Sequence, residues 1–94
     1  MSVTVLIPTP LRPYAAKQSS AAFEARTVRE ALDALTNQFA DLRKHLYADD
    51  GRLRSFVNVY VNDEDIRFLQ KEDTPVAQGD TISIIPSIAG GSMI

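Results

Sequence analysis

Two short apolar segments near opposite ends of the chain constrain its fold most. Residues 3–7 and 82–85 consist almost entirely of apolar or β-branched side chains, and a proline ends each segment. A strand with one face in water alternates apolar and polar residues, whereas a strand inside a covered sheet reads as a continuous apolar run. We therefore expect strands over residues 1–7 and 81–85 to be neighbours in the centre of one sheet.

The segment between these strands contains one clear helix signal. Thr27 and Glu30 have the spacing of a capping box, in which the threonine accepts a hydrogen bond from the first turn and the glutamate reaches back. Apolar residues then recur at helical spacing, namely Val28, Ala31, Leu32, Leu35 and Phe39. This spacing predicts a helix over residues 28–39 with one face packed on a sheet. Leu42 and Leu46 continue the apolar pattern in a looser turn.

Shorter patterns predict three further strands. Residues 56–61 alternate between two faces. One face carries Val57, Val59 and Val61, and the other carries Phe56, Asn58 and Tyr60. Residues 20–25 predict a second strand. Residues 66–68 predict a short strand that returns after the polar turn of residues 62–65.

The order of these elements indicates the fold class. Strand, strand, helix, strand, short strand and strand form an α+β domain with a mixed sheet of four to five strands and one main helix on one face. This is the β-grasp arrangement, and it places the first and last strands side by side. We expect the domain to span residues 1–86. Residues 87–94 show no periodicity and are predicted to form a flexible C-terminal tail.

A single helix covers only one face of such a sheet. Alternation sends several large apolar side chains to the other face, namely Leu6, Phe56, Tyr60, Phe68 and Ile85. Monomers seldom expose a large contiguous apolar patch that serves no purpose, so this face is a predicted partner-docking surface. Coverage of the same face by loops is the alternative.

Composition excludes several classes of function. The chain has no cysteine and one histidine, His45, so no disulfide, metal site or histidine-based catalytic triad is expected. His45 has no evident partner and is predicted to lie at the surface. The net charge of −2 argues against nucleic-acid and membrane partners. No signal peptide or membrane span is predicted, so we expect a cytoplasmic protein.

Gly90 and Gly91 are the residues of the tail that suggest a chemistry. Glycine has no Cβ, so this segment, together with Ile88 and Ala89, can thread a narrow channel and present a carbonyl group to another protein's active site. The simpler interpretation of the glycine pair by itself is a flexible chain end.

The last strand and the glycine pair carry a family resemblance. Residues 79–86, with the sequence Gly-Asp-Thr-Ile-Ser-Ile-Ile-Pro, are followed by Ala89, Gly90 and Gly91, and residues 56–68 and 8–13 add further matches. Over essentially its whole length, the chain resembles the ubiquitin-like sulfur carriers of the ThiS and MoaD family.

The resemblance implies a protein co-substrate rather than an enzyme. In the family, an E1-like enzyme uses ATP to adenylate the carboxylate of the last glycine and then converts it to a thiocarboxylate. Here that glycine is Gly91, and the carrier itself holds no cofactor. One branch of the family that the chain resembles serves cysteine biosynthesis, so a cysteine synthase or another sulfur-accepting enzyme is an expected partner.

Three residues, Ser92, Met93 and Ile94, follow the glycine pair. An amide at Gly91 cannot be adenylated, so cleavage between Gly91 and Ser92 must come first. The family suggests a zinc-dependent JAMM-type metallopeptidase for this step.

Three other functions stay open at this point. The chain could be a ubiquitin-like modifier that is conjugated to lysines through Gly91. It could also be the small subunit of a molybdopterin synthase, or an interaction module with an inert tail.

Overall fold

The computed structural model describes residues 2–86, and Met1 and residues 87–94 lie outside the described part. A five-stranded sheet forms the centre, in the order β2-β1-β5-β3-β4. Its strands are β1 (Ser2–Leu6), β2 (Ser20–Glu24), β3 (Val57–Val61), β4 (Glu64–Asp65) and β5 (Thr81–Pro86). Two helices, α1 (Val28–Gln38) and α2 (Arg43–Leu46), complete the architecture. The predicted β-grasp fold is confirmed.

The predicted central pair of strands is present. β1 and β5 run parallel, with Val5 opposite Ile82 and Leu6 opposite Ser83. Val5 and Ile82 are completely buried beneath the helices, but Leu6 is 41% exposed on the other face. The continuous apolar pattern therefore reflects two apolar surfaces, one in the core and one open to solvent.

The capping box starts α1 as the sequence predicts. The Thr27 hydroxyl accepts a hydrogen bond from the Glu30 amide at 3.2 Å, and the Glu30 carboxylate accepts one from the Arg26 amide at 2.8 Å. α1 ends one residue before the predicted end, because Phe39 leaves the helical conformation and only partly joins the core. Among residues 2–86, no helix is both long enough and apolar enough to cross a membrane.

The turn and short helix after α1 complete the core. A 3₁₀ turn, Ala40–Leu42, leads into α2. Leu42 and Leu46 are fully buried, as the continued apolar spacing indicates.

The predicted strand over residues 66–68 is wrong. Asn62 and Asp63 both adopt positive φ, of 48° and 78°, which closes a tight hairpin and starts β4 immediately afterwards. The Asp65 side chain then accepts a hydrogen bond from the Arg67 amide at 2.9 Å. This cap ends the strand and starts a 3₁₀ helix, Ile66–Phe68, at the position of the predicted strand.

Candidate functional site

The end of β5 is where the chain leaves the sheet toward the glycine pair. β5 lies between β1 and β3, and Ile85 and Pro86 are paired with Asn58 and Val57 of β3. Pairing to a neighbouring strand fixes the direction of the last residues of β5. Any segment attached at Pro86 therefore starts from a defined point on the sheet.

Three of the predicted docking residues lie together on the solvent face of the sheet. Leu6 is opposite Ser83, and Ser83 is opposite Tyr60, so these side chains form one row across three strands. Ile85 lies two residues after Ser83 in β5 and therefore on the same face of the sheet. Leu6 and Ile85 are 41% and 49% exposed, and Tyr60 is half-buried. We call Leu6, Tyr60 and Ile85 the outer row.

Phe68 lies at the β4 edge of the same sheet. It ends the 3₁₀ helix that follows β4, and its side chain is 85% exposed. An ion pair of 2.7 Å between Asp65 and Arg67 holds this corner, and its hydrogen bond is the main cause of the lowered pKa of Asp65. Phe68 is therefore open to solvent, but it follows the last paired residue of β4, so strand pairing does not align it with the outer row.

Phe56 lies on a different surface from the one predicted. β3 begins at Val57, and Phe56 belongs to the turn before it, in which the Val57 amide donates to the Arg54 carbonyl at 2.9 Å. Because the alternation of β3 does not extend to this turn, Phe56 instead lines a groove of about 520 Å³. The groove is shared with Pro10, Leu11, Tyr14, His45 and Pro86.

His45 is the second residue of this groove for which the sequence-based prediction, a surface position without a partner, is wrong. It is half-buried rather than exposed, because its ring stacks on Tyr14 with 4.0 Å between the centroids and 29° between the planes. Its Nε2 atom is buried and has no hydrogen-bond partner within residues 2–86. The positions of Tyr14 and His45 are far apart in the sequence, so only the tertiary fold shows that they meet.

The carboxylates near β5 have structural partners. Asp80 accepts hydrogen bonds from the Ala77 amide at 2.8 Å and from the Asn62 side chain at 2.9 Å. These bonds lower the pKa of Asp80, the Ala77 bond contributing most. No group of three or more metal-ligating side chains comes together in the described part of the chain. Around the end of β5, residues 2–86 present exposed apolar side chains and the groove lined by Phe56.

Comparison with known proteins identifies the family. The ThiS family model matches residues 5–91. The chain belongs to the ThiS family. Sulfur carrier protein CysO of Mycobacterium tuberculosis is 40% identical over 93 residues, which cover 97% of this chain and 100% of that protein.

Solved structures of similar proteins have the same fold. A chain in the crystal structure of the Amycolatopsis orientalis BexX/CysO complex is 40% identical, with a TM-score of 0.85 over 95% of this chain and 99% of that chain. The crystal structure of SAMP1, a small archaeal modifier protein from Haloferax volcanii, is 26% identical, with a TM-score of 0.84. That comparison covers 97% of this chain and 100% of SAMP1.

Membership of the ThiS family confirms the resemblance inferred from the sequence. The matched region includes Gly91 and stops before residues 92–94. The predicted roles of Ile88, Ala89, Gly90, Gly91 and Ser92 fall outside the described residues and stay predictions.

Proposed function

We propose that this chain is a sulfur carrier that works through the carboxylate of Gly91. The family match supports the proposal most directly, because it covers nearly the whole chain and stops at the glycine pair. The 40% identity to CysO over the full length of that sulfur carrier adds further support. In this role the chain is a co-substrate of other proteins rather than an enzyme.

The chemistry has two steps after the carboxylate is freed. Cleavage of the Gly91–Ser92 bond by a JAMM-type metallopeptidase releases residues 92–94. A carboxylate oxygen of Gly91 then attacks the α-phosphorus of ATP, which forms an acyl-adenylate and releases pyrophosphate. Hydrosulfide attacks the acyl carbon, AMP leaves, and the product is a thiocarboxylate.

The outer row supplies the docking part of this proposal. A short flexible segment offers little oriented area and loses conformational freedom when it binds, so an E1-like enzyme needs a rigid surface as well. Leu6 and Ile85 are exposed next to the end of β5, and the exposed Phe68, which follows β4, is a further candidate contact. Five extended residues beyond Pro86 reach about 17 Å, which is enough to bring Gly91 into an enzyme cleft.

Sulfur transfer to a cytoplasmic cysteine synthase, or to another sulfur-accepting enzyme, completes the proposed role. The name CysO of the full-length relative favours this direction, and the BexX/CysO complex is a case in which a similar chain binds a partner protein.

Protein modification through Gly91 is the second candidate. The structural similarity to small archaeal modifier protein 1 favours it. The product distinguishes the two roles, since a modifier forms an isopeptide bond to a lysine and a carrier forms a thiocarboxylate.

Reconstitution with two forms of the chain tests the proposal. Chains of residues 1–94 and 1–91 are incubated with ATP, the E1-like enzyme and sulfide, and their intact masses are measured. We expect an oxygen-to-sulfur mass shift only in the chain that ends at Gly91. Equal conversion of both forms, or no conversion of the shorter one, contradicts the carrier role. Appearance of lysine conjugates supports the modifier role instead.

A further inference from the structure

A groove separate from the outer row lies beside the end of β5. Its apolar wall contains Tyr14 and Phe56, which are 38% and 41% exposed, and its volume is about 520 Å³. Pro86 lines the groove, while Ile85, its neighbour in the chain, belongs to the outer row. Two different apolar surfaces therefore flank the point where the chain leaves β5.

The charged side chains that line this groove are basic, although Lys44 also borders an adjacent pocket that contains Asp41 and Asp49. Lys44 and Arg54 stand on its rim, and no carboxylate is among its lining residues, although the chain as a whole has 12 acidic and 10 basic residues. The Arg54 side chain donates to the Lys44 backbone carbonyl at 2.9 Å, which holds the Arg54 guanidinium beside the main chain of α2.

Neither cation is neutralised by the described residues. The ion pairs within residues 2–86 join Arg29 to Asp73, Arg52 to Asp50 and Arg67 to Asp65, and include neither Lys44 nor Arg54. A neighbouring cation, Arg43, lies over the Tyr47 ring at 5.1 Å and also has no carboxylate partner there. The rim therefore attracts negative charge.

We infer that this groove binds a segment of a partner protein in which a bulky apolar side chain is flanked by carboxylates. The apolar side chain fills the space between Tyr14 and Phe56, and the carboxylates pair with Lys44 and Arg54. An apolar wall with charge only at the rim suits a peptide better than a polyphosphate, which offers nothing to the wall. This site is additional to the outer row and does not depend on the thiocarboxylate chemistry.

The test is a titration of the full 94-residue chain followed by NMR. The probe is the peptide acetyl-Asp-Glu-Leu-Phe-Glu-Asp-amide, and the control peptide has lysine at all four acidic positions. The ring protons of His45 report on the groove, because His45 is the only histidine and stacks on Tyr14. We expect the acidic peptide alone to shift these signals, with weaker binding at higher salt.

Matched variants separate the groove from general charge. Removing both rim cations, Lys44→Ala with Arg54→Ala, should weaken binding about threefold to tenfold, since exposed ion pairs contribute modestly. Removing two cations at the start of α1, Arg26→Ala with Arg29→Ala, changes the net charge equally and should have no such effect. Amide spectra verify that both variants are folded.

Four results overturn the inference. The first is an equal response to both peptides, or none to the acidic one. The second is unchanged binding by the folded rim variant. The third is binding by a chain that ends at Gly91 but not by the full chain, which would assign the groove to residues 92–94. The fourth is stronger binding of pyrophosphate than of the acidic peptide, which would show that the groove binds anions rather than a peptide segment.

Discussion

Truncation of Leu35 to alanine should destabilise the domain by about 3 kcal/mol, within the range of about 2 to 5 kcal/mol typical of buried leucines. Leu35 is on the apolar face of α1 and is 0% exposed. The change removes three carbon atoms, and a transfer free energy of about 0.8 kcal/mol for each gives about 2.4 kcal/mol. The cavity left between α1 and the sheet adds the rest, because the paired strands β1 and β5 limit its collapse.

Urea unfolding followed by circular dichroism measures this loss. A domain of this size should also lose about 4 to 8 °C in melting temperature for each kcal/mol. Leu69→Ala is the matched control, since Leu69 is 38% exposed and outside the core, and it should cost less than about 1 kcal/mol. A loss below about 1 kcal/mol for Leu35→Ala, with an unchanged urea dependence, would show that the apolar face of α1 does not pack as described.

Three further predictions address docking, activation and acid stability. Ile85→Asp should weaken binding of the E1-like enzyme about tenfold or more, because it places an unpaired charge in the outer row. Asn37→Asp, on the exposed side of α1, is the control and should leave the affinity unchanged. Calorimetry measures both affinities, and equal values for the two variants would show that the interface lies elsewhere. In the chain ending at Gly91, Gly91→Ala should slow pyrophosphate release with ATP and the E1-like enzyme, since a methyl group must fit where the backbone approaches the nucleotide, and an unchanged rate contradicts this close approach. Asp80→Asn should reduce the loss of melting temperature between about pH 7 and about pH 2.5. The folded-state pKa of Asp80 is lowered from 3.8, so the stabilisation that its carboxylate provides is complete above that value and is lost as the pH falls through the lower folded-state pKa. Equal losses of melting temperature in the original chain and in the Asp80→Asn variant would contradict this stabilising role.

Local sequence patterns predicted those parts of the fold that depend on local interactions. Thr27 and Glu30 marked the start of α1 because a cap involves only neighbouring residues. The apolar runs of β1 and β5 correctly predicted a central pair of strands, although only one face of that pair is buried and the other carries the exposed Leu6 and Ile85.

The errors occurred where one side chain or a tight turn overrides alternation. Ile66 and Phe68 are strand-like residues, yet the Asp65 cap places them in a 3₁₀ helix. Phe56 continues the pattern of β3 but precedes the first paired residue, so it lines the groove instead of the outer row.

One part of the candidate site, the outer row, could be predicted from the sequence, and the groove could not. Leu6, Tyr60 and Ile85 meet as alternation indicates, because strand pairing brings one face of each strand to the same surface. The groove could not be predicted, since Tyr14 ends a 3₁₀ helix, His45 lies in α2 and Phe56 lies in a turn, and their approach depends on tertiary packing. The proposed role of Gly91 is based on the sequence and on the family match, because residues 87–94 lie outside the described part.

The intact mass of the protein isolated from its own cells tests the central claim most directly. The sulfur-carrier account predicts a population that ends at Gly91, part of which carries sulfur in place of one carboxylate oxygen. This fraction should disappear after alkylation of the thiocarboxylate and reappear at the mass of the adduct. A protein in which Gly91 stays joined to Ser92 in every molecule, under conditions that demand sulfur metabolism, contradicts the account.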